Sequence, residues 1–305
     1  MNHKYTFGPV VSRRLGLSLG IDLVPRKKCN LDCLYCEVCP TDKLDEDRIF
    51  YVDMPTLIKE IKDVNTEIDF LTLTGSGEPT LHKELDKMIS ALKQEFSYPI
   101  VMLTNSLLLR KEEVRKELLG LDLIVPSLDA VSQAVFKKIN RPVKDVYAED
   151  VVNGLIEFRK IFVGKMWLEI LFVKGINDSL SEIALLSEAI VKIQPDRVQL
   201  NTVARPPAYG VALPLSFEEL QSVANQLNFK DIDIIGVQKK NSIGNKLTEE
   251  AVIDYLIRRP AVFEELLTAF SSEARELREF LIELEVKNKI IKEVHNGMVF
   301  FKVNS

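Results

Sequence analysis

The sequence predicts an α/β protein, a partial (β/α)6 parallel barrel followed by a small α+β domain. Three observations carry this. Short β-branched or aliphatic runs alternate with amphipathic helical stretches at near-regular intervals, the pattern of βα units wound around a parallel sheet. The 305 residues, 46% hydrophobic and 28% charged, suffice for one barrel with an appended domain. The pattern then changes after a polar stretch at 241–245, so residues 1–240 and 247–305 are expected to form two units.

The candidate strands are 18–24, 69–73, 100–103, 123–125, 167–173 and 197–200, with 232–237 as a possible seventh. Between them, helices are expected at 54–64, 83–96, 111–118, 148–162, 180–193 and 217–227. Asp53, Ser179 and Ser216 stand where N-caps belong. The spacing of Leu57, Ile58, Ile61 and Val64 gives the first crossover helix one apolar face to lay on the sheet. Beyond the polar stretch come helical patterns at 249–258, 262–269 and 272–285, then strands at 290–294 and 299–303 around the turn His295-Asn296-Gly297. Three helices followed by two strands on an Asn-Gly turn resemble a winged helix.

Composition excludes several classes of function. No run of about 18 apolar residues occurs, and residues 1–20 mix charges with short apolar stretches, so neither membrane spanning nor secretion is expected and the cytoplasm is the expected compartment. A net charge of −5 argues against a protein that coats nucleic acid non-specifically. All 4 cysteines fall between Cys29 and Cys39, which cannot frame a chain of this length with disulfides and points to metal or redox chemistry in a reducing compartment.

The strongest local signal is Cys29-Asn30-Leu31-Asp32-Cys33-Leu34-Tyr35-Cys36, directly after the first candidate strand. Thiolates that close can bind one soft metal centre, and a cubane iron–sulfur cluster held by three of them keeps one iron open. In its spacing, and in Tyr35 before the third Cys, the segment resembles the cluster motif of the radical S-adenosylmethionine (radical SAM) superfamily. The resemblance implies a [4Fe-4S] cluster on Cys29, Cys33 and Cys36. It implies also that S-adenosylmethionine chelates the open iron, and that one-electron reduction releases a 5′-deoxyadenosyl radical. Cys39 adds a fourth thiol within reach, so a closed four-Cys cluster or a zinc site stands as the alternative.

The turn Thr74-Gly75-Ser76-Gly77-Glu78-Pro79-Thr80 closes the second candidate strand. It looks like the superfamily's Gly-Gly-Glu motif for the methionine amino group, with Ser76 at the middle glycine, which makes Gly75, Gly77 and Glu78 candidate cofactor contacts. Polar residues also close later strands, and active sites of parallel barrels lie at that end. By resemblance, Ser127 and Asp129 are expected at the ribose hydroxyls, with Tyr35, Asn105, Glu169 and Asn201 as further cofactor contacts. A narrower resemblance over most of residues 7–235 rests on Gly8-Pro9-Val10, Ile139-Asn140-Arg141-Pro142, Lys174-Gly175-Ile176-Asn177-Asp178 and Asn201-Thr202-Val203-Ala204-Arg205-Pro206-Pro207. These segments resemble uncharacterised bacterial and archaeal Fe–S oxidoreductases loosely grouped with wyosine-type tRNA-modifying synthases. A tRNA base or nucleotide is therefore one expected substrate, and a peptide or protein the alternative.

Six basic residues (Lys4, Arg13, Arg14, Arg26, Lys27, Lys28) against Asp22 and Asp32 give the first 36 residues a local charge of 6 − 2 = +4. That surface is either a solvated face or a landing site for reduced flavodoxin or ferredoxin as electron donor, or for an anionic substrate. Arg141 and Arg205 are placed to grip an anion or to pin a loop. A rival of another class is a metal-binding DNA regulator. It is disfavoured because residues 247–305 hold 8 Lys or Arg against 11 Asp or Glu, a net of −3.

Overall fold

The structure is a computed structural model that describes residues 4–12, 15–235, 247–270 and 272–304. The expected polar connection at 241–245, the end of the strand expected at 232–237, and Arg13 and Arg14 lie outside the described residues.

Eight strands form one sheet in sequence order: β1 (Thr6–Ser12), β2 (Gly16–Asp22), β3 (Phe70–Thr74), β4 (Ile100–Thr104), β5 (Leu123–Pro126), β6 (Lys165–Phe172), β7 (Arg197–Thr202) and β8 (Ile232–Ile234). From β2 to β8 all neighbours pair in parallel, and β1 and β8 are the sheet's two edges. Crossovers are made by α1 (Met54–Lys62), α2 (Leu85–Glu95), α3 (Glu112–Glu117), α4 (Gln133–Ile139), α5 (Ala148–Ile161), α6 (Leu180–Ile193) and α7 (Phe217–Leu227).

The hairpin partner β1 is an addition to the expected strands. It runs antiparallel to β2, carries Pro9, and shifts register between Phe7 and Val10. An edge strand with a bulge tolerates a proline that breaks the sequence pattern of a strand. Glu60 of α1 anchors its start by accepting from the backbone N–H groups of Lys4, Tyr5 and Thr6 at 2.7, 3.0 and 2.9 Å. Helix α4 was also not expected, being only 7 residues long.

The expected caps form. Asp53 accepts from Thr56 N at 3.1 Å, and Ser179 and Ser216 accept from Glu182 N and Glu219 N at 3.2 Å each. On α2, Leu85, Met88, Ile89 and Leu92 are buried, and each such side chain contributes roughly 1.5–3 kcal/mol of apolar burial. Strand alternation divides the sheet. Leu19 and Ile21 of β2 and Leu71 and Leu73 of β3 enter the main core, while Ser18, Gly20, Asp22, Thr72 and Thr74 line a cavity on the other face. Gly20 leaves room there for the Phe7 ring, which a Cβ would meet at 2.2 Å and push aside.

A second core gathers Val252, Leu256, Leu266, Phe270, Leu277, Leu281, Leu284, Ile290 and Phe301. Its elements run α8 (Glu249–Arg258), β9 (Ala261–Val262), α9 (Phe263–Phe270), α10 (Ala274–Val286), β10 (Ile290–His295) and β11 (Met298–Val303). The three strands make an antiparallel sheet in the order β10-β11-β9. Among the described residues no helix is long and apolar enough to cross a membrane.

Candidate active site

The cysteine segment leaves the C-terminal end of β2 and is laced to its surroundings by backbone hydrogen bonds. Lys27 N donates to Ser76 O at 2.7 Å, Leu34 N to Ile139 O at 2.9 Å, and Ala208 N to Cys36 O at 2.8 Å. Asp32 braces the loop from within. Its carboxylate accepts from Thr41 N and from the Tyr209 hydroxyl, each at 2.7 Å, and Arg141 stands 3.2 Å away. All four cysteines are free thiols.

Three of the four sulfurs each meet an N–H donor. Asn105 Nδ2 points to Cys29 Sγ at 3.7 Å, Asn140 Nδ2 to Cys33 Sγ at 3.4 Å, and Lys27 Nζ to Cys36 Sγ at 3.2 Å. Burial pushes the Cys29 thiol up to about 12 and the Cys33 thiol well above its ordinary value. Burial thus disfavours both thiolates unless a cation accompanies them. Beside them the Asn30 side chain is fully buried. Its oxygen accepts from Asn105 at 2.7 Å, while its Nδ2 has no partner. Buried donors aimed at sulfur, with one left unanswered, fit a thiolate-bound centre that accepts hydrogen bonds. Cys39 differs, lining with Arg26 and Pro206 a separate small depression.

The turn after β3 packs directly on this segment. A Cβ on Gly77 would stand 2.0 Å from Lys28 O, so only glycine permits the approach. Ser76 donates through N and Oγ to Asp22 at 2.9 and 2.6 Å. Glu78 holds this turn together. Its carboxylate caps the 3-10 turn Pro79–Leu81 and accepts from Thr80 N, Thr80 Oγ1, Thr104 Oγ1 and Asn105 N at 3.1, 2.5, 2.6 and 2.8 Å. Gly75 and Ser76 line the cavity.

The other strand-end residues divide in the same way. Ser127, Glu169 and Asn201 line the cavity, with Asn201 Nδ2 donating to Glu169 Oε1 at 2.8 Å and a parallel bridge joining Ser127 to Glu169. Asp129 lines a smaller depression beside Ser127, Tyr35 and Asn105. The Tyr35 hydroxyl and Asn140 Nδ2 (2.7 Å) both donate to Asp129 Oδ2, and Leu171 N donates to Oδ1 at 2.9 Å. Burial pushes this carboxyl up to about 6, against those donors. Asp129 thus braces the aromatic residue of the cysteine motif. Asn105 likewise serves Asn30 and Cys29.

The cavity measures about 370 Å³ and is lined also by Cys33, Tyr35 and Cys36, and by Arg258 and Arg259 from the end of α8. Sequence reasoning missed these two arginines, and it assigned no role to Asn30 or Asn140. Arg258 Nε stands 3.6 Å from Asp22, and its guanidinium lies 4.9 Å from the Phe7 ring centroid. Arg205 does not reach the cavity. It is 4% exposed, forks onto Glu265 at 2.7 and 2.6 Å, donates to Pro260 O, and lies 3.3 Å from Glu37. Of the two roles open to it, Arg205 takes that of pinning. Within the basic run, Lys28 pairs with Asp45.

A family model described as the radical SAM superfamily matches residues 23–186, from just before the cysteine segment through the first half of α6. The chain belongs to the radical SAM superfamily. A UPF0026 protein of Methanocaldococcus jannaschii is 31% identical over 98% of this chain and 95% of its own length. A protein named GTPase Obg from Brachyspira hyodysenteriae is 40% identical over 99% of this chain, which spans 45% of that relative's length. Among solved structures, Streptococcus suis SuiB bound to S-adenosylmethionine superposes with a TM-score of 0.54 at 14% identity, covering 70% of this chain and 49% of that one. A radical SAM methyltransferase from Sphaerobacter thermophilus gives 0.53 at 14% identity, covering 71% and 66%. These two show the shared fold.

Radical SAM enzymes bind a [4Fe-4S] cluster and S-adenosylmethionine and require a reductant such as flavodoxin or ferredoxin. In this chain the Glu78 side chain holds the turn through its hydrogen bonds to Thr80, Thr104 and Asn105. Replacing Glu78 by Gln leaves one backbone N–H, of Thr80 or Asn105, facing an amide nitrogen. The expected result is a loss of about 1–3 kcal/mol in unfolding free energy. Thermal or urea unfolding of the variant beside equilibrium cofactor binding checks this; intact stability with affinity lowered tenfold or more would establish the ammonium contact.

Proposed function

We propose that Cys29, Cys33 and Cys36 hold the cluster, and that S-adenosylmethionine lies in the cavity against Gly75, Ser76, Ser127, Glu169 and Asn201, where it is reductively cleaved for hydrogen abstraction. The observation that carries this reading is the set of three N–H donors meeting three sulfurs at the C-terminal end of a parallel sheet. When bound, the cluster and cofactor supply one-electron cleavage of the sulfonium and a radical able to take hydrogen from carbon.

The chain's own residues then do three things. Tyr35, fixed by Asp129, keeps the third cysteine in place. The hydrophobic floor of Leu15, Val101, Leu123 and Val125 keeps solvent from the barrel's interior. Arg258 and Arg259, lining the cavity, suit a phosphate-bearing substrate, and we read a nucleotide or a tRNA base as that substrate. We read residues 247–305 as a separate winged-helix-like unit that covers the barrel mouth, with α8 delivering the arginines.

Anaerobic reconstitution with iron, sulfide and a chemical reductant tests the class chemistry. 5′-Deoxyadenosine should form from S-adenosylmethionine, and its release should rise above the uncoupled rate when nucleotide or tRNA fractions of a cell extract are added. Stimulation confined to peptide fractions would replace the nucleotide reading.

A further inference from the structure

We propose that Lys27 sets the reduction potential of the cluster, an inference that rests on Cys36 being one of its ligands. An ammonium group has three donors and no acceptor, so at 3.2 Å the Cys36 sulfur is the acceptor of the Lys27 hydrogen bond. The placement is built into the backbone. Lys27 holds φ 59°, and its N–H is tied to Ser76 O at 2.7 Å, which turns its side chain inward. Its neighbours go elsewhere: Arg26 is exposed, and Lys28 is paired with Asp45.

The donors on the other two sulfurs, Asn105 and Asn140, are neutral amides, so Lys27 brings a full positive charge to the set. Lys27 is half-buried, and a charge withdrawn from solvent is screened less than a surface lysine's. Reduction adds an electron to a centre already surrounded by thiolates. A cation hydrogen-bonded to one of those sulfurs stabilises the added negative charge and raises the potential. Lys27 acts through Cys36 and not on the reacting atoms, which makes it a positioning residue whose signature is a potential.

The test uses the full chain reconstituted with iron and sulfide, titrated anaerobically without S-adenosylmethionine and followed by EPR of the reduced cluster. Lys27→Met should load as much iron and sulfide as the wild type. Its reduction equilibrium constant should fall at least about tenfold, which is 59 mV for one electron. Lys27→Arg, which keeps charge and donor, should stay within roughly threefold. A loaded Lys27→Met with the wild-type potential overturns the proposal, and weakened cofactor binding beside that unchanged potential would assign Lys27 to the cofactor instead. If Lys27→Met does not load, Lys27→Gln is read the same way. Failure of both neutral variants to load while Lys27→Arg loads also overturns the proposal, by making Lys27 an assembly residue. A wild-type chain that takes up no cluster under the same conditions sinks the ligand reading itself.

Discussion

Cys36→Ser is expected to retain iron on the order of a hundredfold less well than the wild type and to lose reductive cleavage of S-adenosylmethionine, while Cys39→Ser retains both. Cys36 lines the main cavity together with Cys33, and it receives the Lys27 donor. A serine there keeps a hydrogen-bond acceptor but offers iron a hydroxyl far less acidic than a thiol. Cys39 lines only the depression beside Arg26 and Pro206. Burial raises its thiol, with the Arg26 and Lys27 charges opposing that rise. Iron and sulfide analysis with visible and EPR spectra of the two variants decides the assignment. Loss of the cluster from Cys39→Ser with its fold intact would establish a four-thiol site.

How much of this was legible beforehand follows the range of the interactions. The parallel strands from β2 to β8 and their crossover helices other than α4 are written in local periodicity, so their positions were readable within a few residues. The cysteine spacing was equally plain, because three thiols within one short loop have little else to do. Strand β1 was hidden because Pro9 and a register shift break its alternation, and only its pairing with β2 makes it a strand. For Glu78 the turn was legible and its hydrogen-bond partners were not. The same Gly-Glu turn can aim its carboxylate at a ligand or at backbone N–H groups, and the choice depends on how Thr104 and Asn105 of the next strand end meet it. The Pro79-Thr80 pair following Glu78 was the available signal, since a residue before Pro at a helical start is an N-cap position. Arg258 and Arg259 carried no such mark. They are ordinary helix-end residues until the second core packs α8 over the barrel.

That packing is held by a charge cluster whose loss should be large. Arg205 reaches from the loop after β7 to Glu265 of α9, to the Pro260 carbonyl and to Glu37 of the cysteine segment, so one buried guanidinium ties the sheet, the cysteine loop and the C-terminal elements together. Burial acts to raise the Glu265 carboxyl, but the Arg205 hydrogen bonds and charge outweigh it and hold its pKa below the usual range. Arg205→Met removes the cation and leaves Glu265 in a largely desolvated place, a change that costs about 3–5 kcal/mol when a buried pair is broken. Arg205→Lys should recover little of this, because a point charge cannot fork onto both carboxylate oxygens. Other ties between the two cores among the described residues are weaker, among them His295 and Asn296 with Val203 O at 3.0 and 3.2 Å, and Arg258 with Asp22 and the Phe7 ring. The loss should therefore appear first as opening of α8 to β11, with β2 to β7 still protected. Hydrogen exchange by mass spectrometry on Arg205→Met should show faster exchange confined to that C-terminal segment. Cluster content should stay near the wild-type level, and S-adenosylmethionine cleavage should become uncoupled from substrate as Arg258 and Arg259 leave the cavity. Unchanged exchange there would mean that apolar contacts alone hold the mouth closed and that the guanidinium cluster is dispensable.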